Sequence, residues 1–443
     1  MVSGGVAVIY LVVAVAIIIY LTAKYHMNAF VVLLLIAFLY GLFAGMPLPD
    51  IVKNIRTGFG NTLGYIGIVI VAGTIIGTIL EKTGAALAMT NAILKLVGKE
   101  RSPLAMSIAG YVVSIPVFCD SGFVILTPLN KALAEETGKS MAVMAVALST
   151  GLYATHCLVP PTPGPIAAAG ILNADLGLVI GLGLVVSIPA MLAGYFWALW
   201  FASRYDIKAV LEESYDSLMK KYGKLPNTTL SFAPIVVPII LILFKSIADY
   251  PTKPFGEAGL AKLLSFIGDP VTALLIGVFI ALLLVKQQAR REAVSSWMDL
   301  GVKNAALILA ITGAGGAFGA ILRASPLGDF LGTSLAQYHI GIFLPFVIAA
   351  ALKTAQGSST VAIITTASIM APLLETLGLS PALTVLAIGA GSMVVSHAND
   401  SYYWVVSQFS DMDVPVAYRA YTTATLVEGI AAMIGVAILS LFF

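Results

Sequence analysis

Four short stretches of an otherwise apolar chain carry side chains able to handle a proton or grip an anion. The first runs Ile115, Pro116, Val117, Phe118, Cys119, Asp120, Ser121, Gly122, and Asp120 is the only charge between Ser102 and Asn130. A charge at the bilayer centre costs about 2.5–3.5 kcal/mol on insertion scales, so such a residue is a functional candidate by default. Asp120 reads as a proton carrier or ligand, with Ser121 and Gly122 beside it as substrate contacts; capping of a helix is the plain structural alternative. The second stretch, Gly151 to Pro165, places Thr155 and His156 before four prolines in six residues, among which lie Thr162 and Gly164. Prolines so spaced cannot continue a helix. The helix ends they expose point partial charges inward, beside a histidine able to switch charge near neutral pH. Packing is the bland role for His156.

The third stretch is Lys353, Thr354, Ala355, Gln356, Gly357, Ser358, Ser359, Thr360. Its hydroxyls, amide and free backbone N–H groups suit a polyhydroxylated carboxylate. Lys353 ends an uncharged arm and either snorkels to an interface or meets a substrate carboxylate or Asp120. The fourth is Ser396, His397, Ala398, Asn399, Asp400, Ser401. In this scheme Ser396, Asn399 and Ser401 contact substrate, while Asp120, His156, His397 and Asp400 are the candidates for carrying a proton. Glu428 is a further intramembrane acid, either a relay or a helix contact. Cys119 and Cys157 read as small buried packing residues, and neither a metal site nor a cofactor is expected.

The elements that must position these residues follow from composition. The chain of 443 residues is 59% hydrophobic and 10% charged, with mean hydropathy +0.98. Soluble domains carry about 25% charged residues, so a water-soluble globule is excluded. A net charge of +2 implies no nucleic-acid partner, and no Walker-type loop supports ATP-driven transport. The N-terminal segment lacks a basic region and a cleavage site, so it is expected to be a retained first helix. Apolar runs able to cross about 30 Å of hydrocarbon lie near 4–22, 29–47, 62–80, 175–203, 229–248, 269–285, 304–322 and 416–443.

Residues 103–172 and 340–409 have shorter apolar arms broken by Gly, Pro, Ser and Asp, and they correspond. Gly73, Gly77, Ile79 and Leu80 recur as Gly315, Gly319, Ile321 and Leu322; Gly138 and Ser140 recur as Gly378 and Ser380; Thr155-His156 recurs as Ser396-His397. The order and nearly constant offset predict a duplicated unit. The expected all-α fold has repeats 1–205 and 229–443 joined by a hydrophilic cytoplasmic linker, 206–228. The first repeat holds a re-entrant hairpin at 103–136, with its tip at Cys119–Gly122, and a broken helix at 140–172. The second holds a hairpin at 340–374, with its tip at 355–358, and a broken helix at 381–409. Glu135 and Glu375 mark the hairpin bases. Five crossings per half make the repeats inverted, as in many secondary transporters. This topology gathers 17 Lys/Arg on one side and 6 on the other, which makes the first side cytoplasmic and puts both termini outside.

At the four stretches the chain resembles the gluconate permease (GntP) family of the ion transporter superfamily. The resemblance rests on Pro116 to Leu126, His156 to Pro165, Ala355 to Ala362, and Gly391 to Ser401. It implies proton-coupled uptake of gluconate or a related small hydroxy acid through a bacterial-type inner membrane, with the D-serine permeases as relatives. It further implies a homodimer with scaffold and transport domains, working by an elevator motion. Thr162, Cys119-Asp120 and Lys353 depart from the pattern. Lys binds a carboxylate as a point charge where Arg grips it bidentately, so a differently held acid fits as well. Alternatives from the residues themselves are a D-serine or other small amino-acid carrier, a glycerate-type permease, a sodium-coupled carrier using the carbonyls of the breaks, and an intramembrane enzyme with Asp120 and Asp400 as acid and base.

Overall fold

Hydrophobic runs become helices here because lipid leaves backbone polar groups no partner but each other. The computed structural model describes residues 2–25, 27–209, 224–249, 254–256, 258–326 and 341–443, and among these every regular element is helical. Residues 210–223 of the expected linker and residue 340 of the expected second hairpin lie outside the described residues.

The chain opens with α1 (Gly4–Lys24) and α2 (Ala29–Phe43). Next comes α3 (Leu48–Thr83), 36 residues long and ended by Gly84 at φ 75°. At 1.5 Å per residue it is far longer than the hydrocarbon is thick, because it begins well before the apolar run at 62–80. Then follow α4 (Ala85–Val97), α5 (Ser102–Val113) and α6 (Cys119–Thr137). The turn between α5 and α6 therefore occupies 114–118, not the expected Cys119–Gly122. Pro116 lacks an N–H and drives the preceding residue out of helical conformation. Gly122 already sits in α6, its N–H bonded to Phe118 O at 2.8 Å. It is small because a Cβ there would come within 2.6 Å of Leu152.

A 32-residue span comprises α7 (Met141–Leu158) and α8 (Pro163–Leu172), interrupted at 159–162. Pro163 sits at the start of α8, where its missing N–H costs nothing. After α9 (Leu176–Trp200), the chain resumes with α10 (Thr228–Ala248), α11 (Leu260–Ile267) and α12 (Pro270–Leu283). The last two meet at a bend of 66°, which the hydropathy of 269–285 did not reveal. The helix α13 (Met298–Arg323) continues a π-turn at Ala293–Trp297. It lies against α3 through small residues: a Cβ on Gly316 would fall 2.1 Å from Thr62 Oγ1, and one on Gly58 2.5 Å from Gly316 O. Such residues let membrane helices approach closely.

The remaining elements are α14 (Phe343–Gln356), α15 (Ser359–Met370), α16 (Pro381–Met393), α17 (Ser401–Phe409) and, after a π-turn at Tyr418–Thr422, α18 (Thr423–Leu439). Every residue of α7 and α8 is buried. By contrast α1, α10 and α12 turn large apolar side chains such as Val12, Ile240 and Phe279 outward. An apolar exterior around a packed interior is what a lipid solvent requires. Among the described residues seven helices are long and apolar enough to cross a membrane, or eight if the bent pair is one span. The chain is a multi-pass membrane protein.

Candidate functional site

Lys353, near the end of α14, has no exposed surface. Its ammonium donates to Asp400 Oδ2 at 2.5 Å and to the Gly357 carbonyl, and lies 5.8 Å from the centre of the Tyr153 ring. It neither snorkels to an interface nor stands free for a substrate carboxylate, because Asp400 already occupies it. Asp400 is also the N-cap of α17: its Oδ1 accepts from Tyr402 N at 3.1 Å, and Oδ2 accepts from Ser396 Oγ at 2.5 Å. One carboxylate thus ends a helix break and neutralises a buried cation.

The turn after Lys353 is locked onto that break, residues 394–400. Gly357 has φ 87°, and a Cβ there would sit 2.0 Å from Asn399 O, so only glycine fits. Asn399 Nδ2 and His397 Nε2 both donate to Thr354 O, at 2.9 and 2.7 Å. Ser396 is held from the other side, where Thr422 Oγ1 donates to its carbonyl at 2.6 Å and Thr425 Oγ1 accepts from its N–H at 3.0 Å.

Against this locked unit stands a looser one. Asp120 lies in the first turn of α6 but does not cap it; the N-cap is Phe118, with no side-chain cap bond. Asp120 Oδ1 is buried without a hydrogen-bond partner among the described residues, while Oδ2 is 4.0 Å from Cys119 Sγ. The Ser401 hydroxyl, Asp400 and Lys353 are its polar and charged neighbours. His156 Nδ1 is likewise buried and unpartnered, and its ring stacks on Tyr153 with centroids 6.4 Å apart and planes at 11°. Tyr153 joins the two units: its hydroxyl lies 2.6 Å from Ser359 Oγ and donates to Ser392 O at 3.2 Å.

The structure therefore brings Asp120, His156, Lys353, Ser359, Ser396, Asp400 and Ser401 into one cluster. Several other expected contacts are spent on packing. Thr155 Oγ1 donates to Tyr111 O at 2.9 Å, and Thr162 Oγ1 donates across its own break to Val159 O at 2.6 Å. Gly164 leaves room for Ile363, and Ser358 caps α15 through Val361 N. Gln356 turns toward α1, accepting from Thr22 Oγ1 at 3.3 Å, with its Nε2 buried and unpartnered. Ser121 and Thr360 are half-buried in the first turns of α6 and α15. Sequence reasoning missed Tyr153 and the Thr422/Thr425 pair. Tyr153 had a signal, since it precedes His156 by one helical turn in the same run.

A second polar region lies elsewhere. Cavities of about 670 and 550 Å³ share Asn173 and Arg323 as lining residues, and the larger also takes in Glu375. Arg323 Nη2 donates to Ile171 O at 2.6 Å, satisfying a carbonyl at the end of α8.

Comparison with known proteins gives the family. The sequence profile of the GntP family permeases matches residues 6–442. The chain belongs to the GntP permease family. It is 34% identical over 429 residues to a gluconate permease of Pseudomonas aeruginosa, covering 95% of this chain and 94% of that one. It is equally 34% identical, over 437 residues and 97% of both chains, to the D-serine transporter DsdX of Escherichia coli O6:H1. Among solved structures, the fold matches the Alcanivorax borkumensis YdaH transporter with TM-score 0.69, at 16% identity, covering 94% of this permease and 99% of that chain.

Proposed function

We propose that this GntP permease is a secondary carrier that takes up gluconate or a related small hydroxy acid together with a proton. The observation that carries this reading is the buried Lys353–Asp400 pair at the meeting of a hairpin turn and a helix break. A substrate carboxylate can take over Lys353 only if Asp400 gives it up. Protonation of Asp400 does so without leaving a bare charge: a neutral acid and a substrate carboxylate together replace the Asp400 carboxylate as partner of the Lys353 ammonium. Proton and substrate thus favour each other's binding, as coupling requires. Ser359, Ser396 and Ser401 supply hydroxyl contacts, and Asp120 and His156 border the same space.

In the wider reading the two halves are inverted repeats of five crossings each, with one re-entrant hairpin in each half, arranged as scaffold and transport domains. The carrier works as a homodimer by an elevator motion, with both termini outside. Proteoliposomes test the core of this. Gluconate should accumulate when a pH gradient is imposed and should not require sodium. Asp400→Asn should lose accumulation while keeping gluconate counterflow. Accumulation that follows a sodium gradient and ignores pH would overturn the reading.

One observation favours a second substrate class. The unpartnered oxygen of Asp120 suits the ammonium of a small amino acid, and a relative of equal identity is named a D-serine transporter. Competition between D-serine and gluconate for uptake, in wild type and Asp120→Asn, separates the two: loss of D-serine competition alone assigns Asp120 to an ammonium.

A further inference from the structure

The mechanism above leaves one buried acid unused. Glu428 lies inside α18 with no exposed surface, and neither carboxyl oxygen has a hydrogen-bond partner among the described residues. An ionised carboxylate so placed would lack both water and a counter-charge, so the side chain is held as the neutral acid. Its surroundings agree. Helices α9 and α16 pack on α18 and contain no Asp, Glu, Lys, Arg or His. The only charge on α14 is Lys353, already paired with Asp400. Its titratable neighbours among the described residues are Cys157 from α7, Tyr402 from α17 and Tyr421 from the π-turn that leads into α18.

Glu428 also sits in line with the locked break. Tyr421, Thr425 and Glu428 follow one another at spacings of four and three along the π-turn and α18, and Thr422 precedes Thr425 by three. Thr422 and Thr425 are the two residues that hold Ser396. The Tyr421 hydroxyl is buried without a hydrogen-bond partner and has Ser396 and Asp400 as neighbours. One residue beyond Glu428, a Cβ on Gly429 would meet Val394 Cγ2 at 2.6 Å, so the break presses directly on this face.

We propose that Glu428 is a second proton site of the carrier, exchanging its proton with Asp400 through the Tyr421 and Ser396 hydroxyls. In that transfer Glu428 gives its proton to the Tyr421 oxygen as Tyr421 passes its own to Ser396 and Ser396 passes its own to Asp400 Oδ2. The transfer leaves an acid at 400 and a carboxylate at 428 that is solvated only once the break has moved. The last link, Ser396 to Asp400, is already formed. Movement of the break away from α18 admits water and reloads Glu428. The proposal rests on Asp400 being the coupling group.

Glu428→Gln keeps the shape and neutrality of the acid and removes its proton. It should melt like wild type, show the same thermal shift with gluconate and with D-serine, and retain counterflow, while accumulation under a pH gradient is lost. Accumulation by Glu428→Gln with the wild-type pH profile overturns the proposal. Infrared spectroscopy separates this from failure of proton coupling as such. A protonated carboxylic-acid band present in the wild type at neutral pH, absent in Glu428→Gln and shifted in Glu428→Asp establishes the proton site whatever ion drives uptake. No such band overturns it.

Discussion

The two helix breaks solve the same problem in opposite ways. The first, residues 159–162, is built from prolines and satisfied locally by Thr162 on Val159 O. The second, 394–400, contains no proline and is held open by tertiary bonds from Lys353, Thr354, Thr422 and Thr425. Proline makes a break permanent, because no N–H is available to heal it. A break held by side chains exists only while its partners stay in place. The second break is therefore the part that can open when its partners move. The first offers a rigid rim with unpartnered groups at Asp120 and His156.

Removing charge from the second break should produce the largest effect. Asp400→Leu leaves Lys353 buried and unpaired, and such a loss costs about 3–5 kcal/mol. Adding Lys353→Met should restore most of the melting temperature but no uptake. Thermal melts of the single and double variants decide this, and a single variant as stable as wild type would remove the ionic lock.

Glycines sharpen the contrast at the next level. Gly357→Ala drives a Cβ into Asn399 O at a positive φ, with an expected loss of about 1–3 kcal/mol and of ligand-induced thermal shift. Gly164→Ala meets only the flexible end of Ile363, so its melting temperature should fall less. Equal losses would mean that both breaks are equally constrained.

Tyr153→Phe, at the junction, strands Ser392 O and Ser359. It should cost about 1–3 kcal/mol and weaken substrate binding, read by melting and by uptake affinity. The smallest change in stability is expected at the rim. Asp120→Asn and His156→Gln alter groups with an unpartnered atom, so melting should fall less than in the variants above while uptake or its substrate preference changes. A large loss of stability at either position would make the rim structural.

Much of the site was readable before any coordinates. Asp120, Lys353 and Asp400 stand out because a charge inside long apolar runs needs a reason, and Pro160 to Pro165 announce a break because proline cannot do otherwise. The first hairpin turn was misplaced because Gly122 has two uses, a turn or a close contact, and only Leu152 shows which. The pairing of Lys353 with Asp400 was not legible for a similar reason, since the partner lies 47 residues away and no local pattern marks the pair.

The sequence by itself determined the lipid solvent, the helical class, the interruption at the prolines and the small set of groups able to carry charge. Those follow from transfer free energy and backbone geometry, which act residue by residue. Only the tertiary structure decided that Lys353 belongs to Asp400, that Tyr153 bridges the two units and that Glu428 stands alone. A buried polar group is defined by what packs around it, and helices distant in the chain supply that packing.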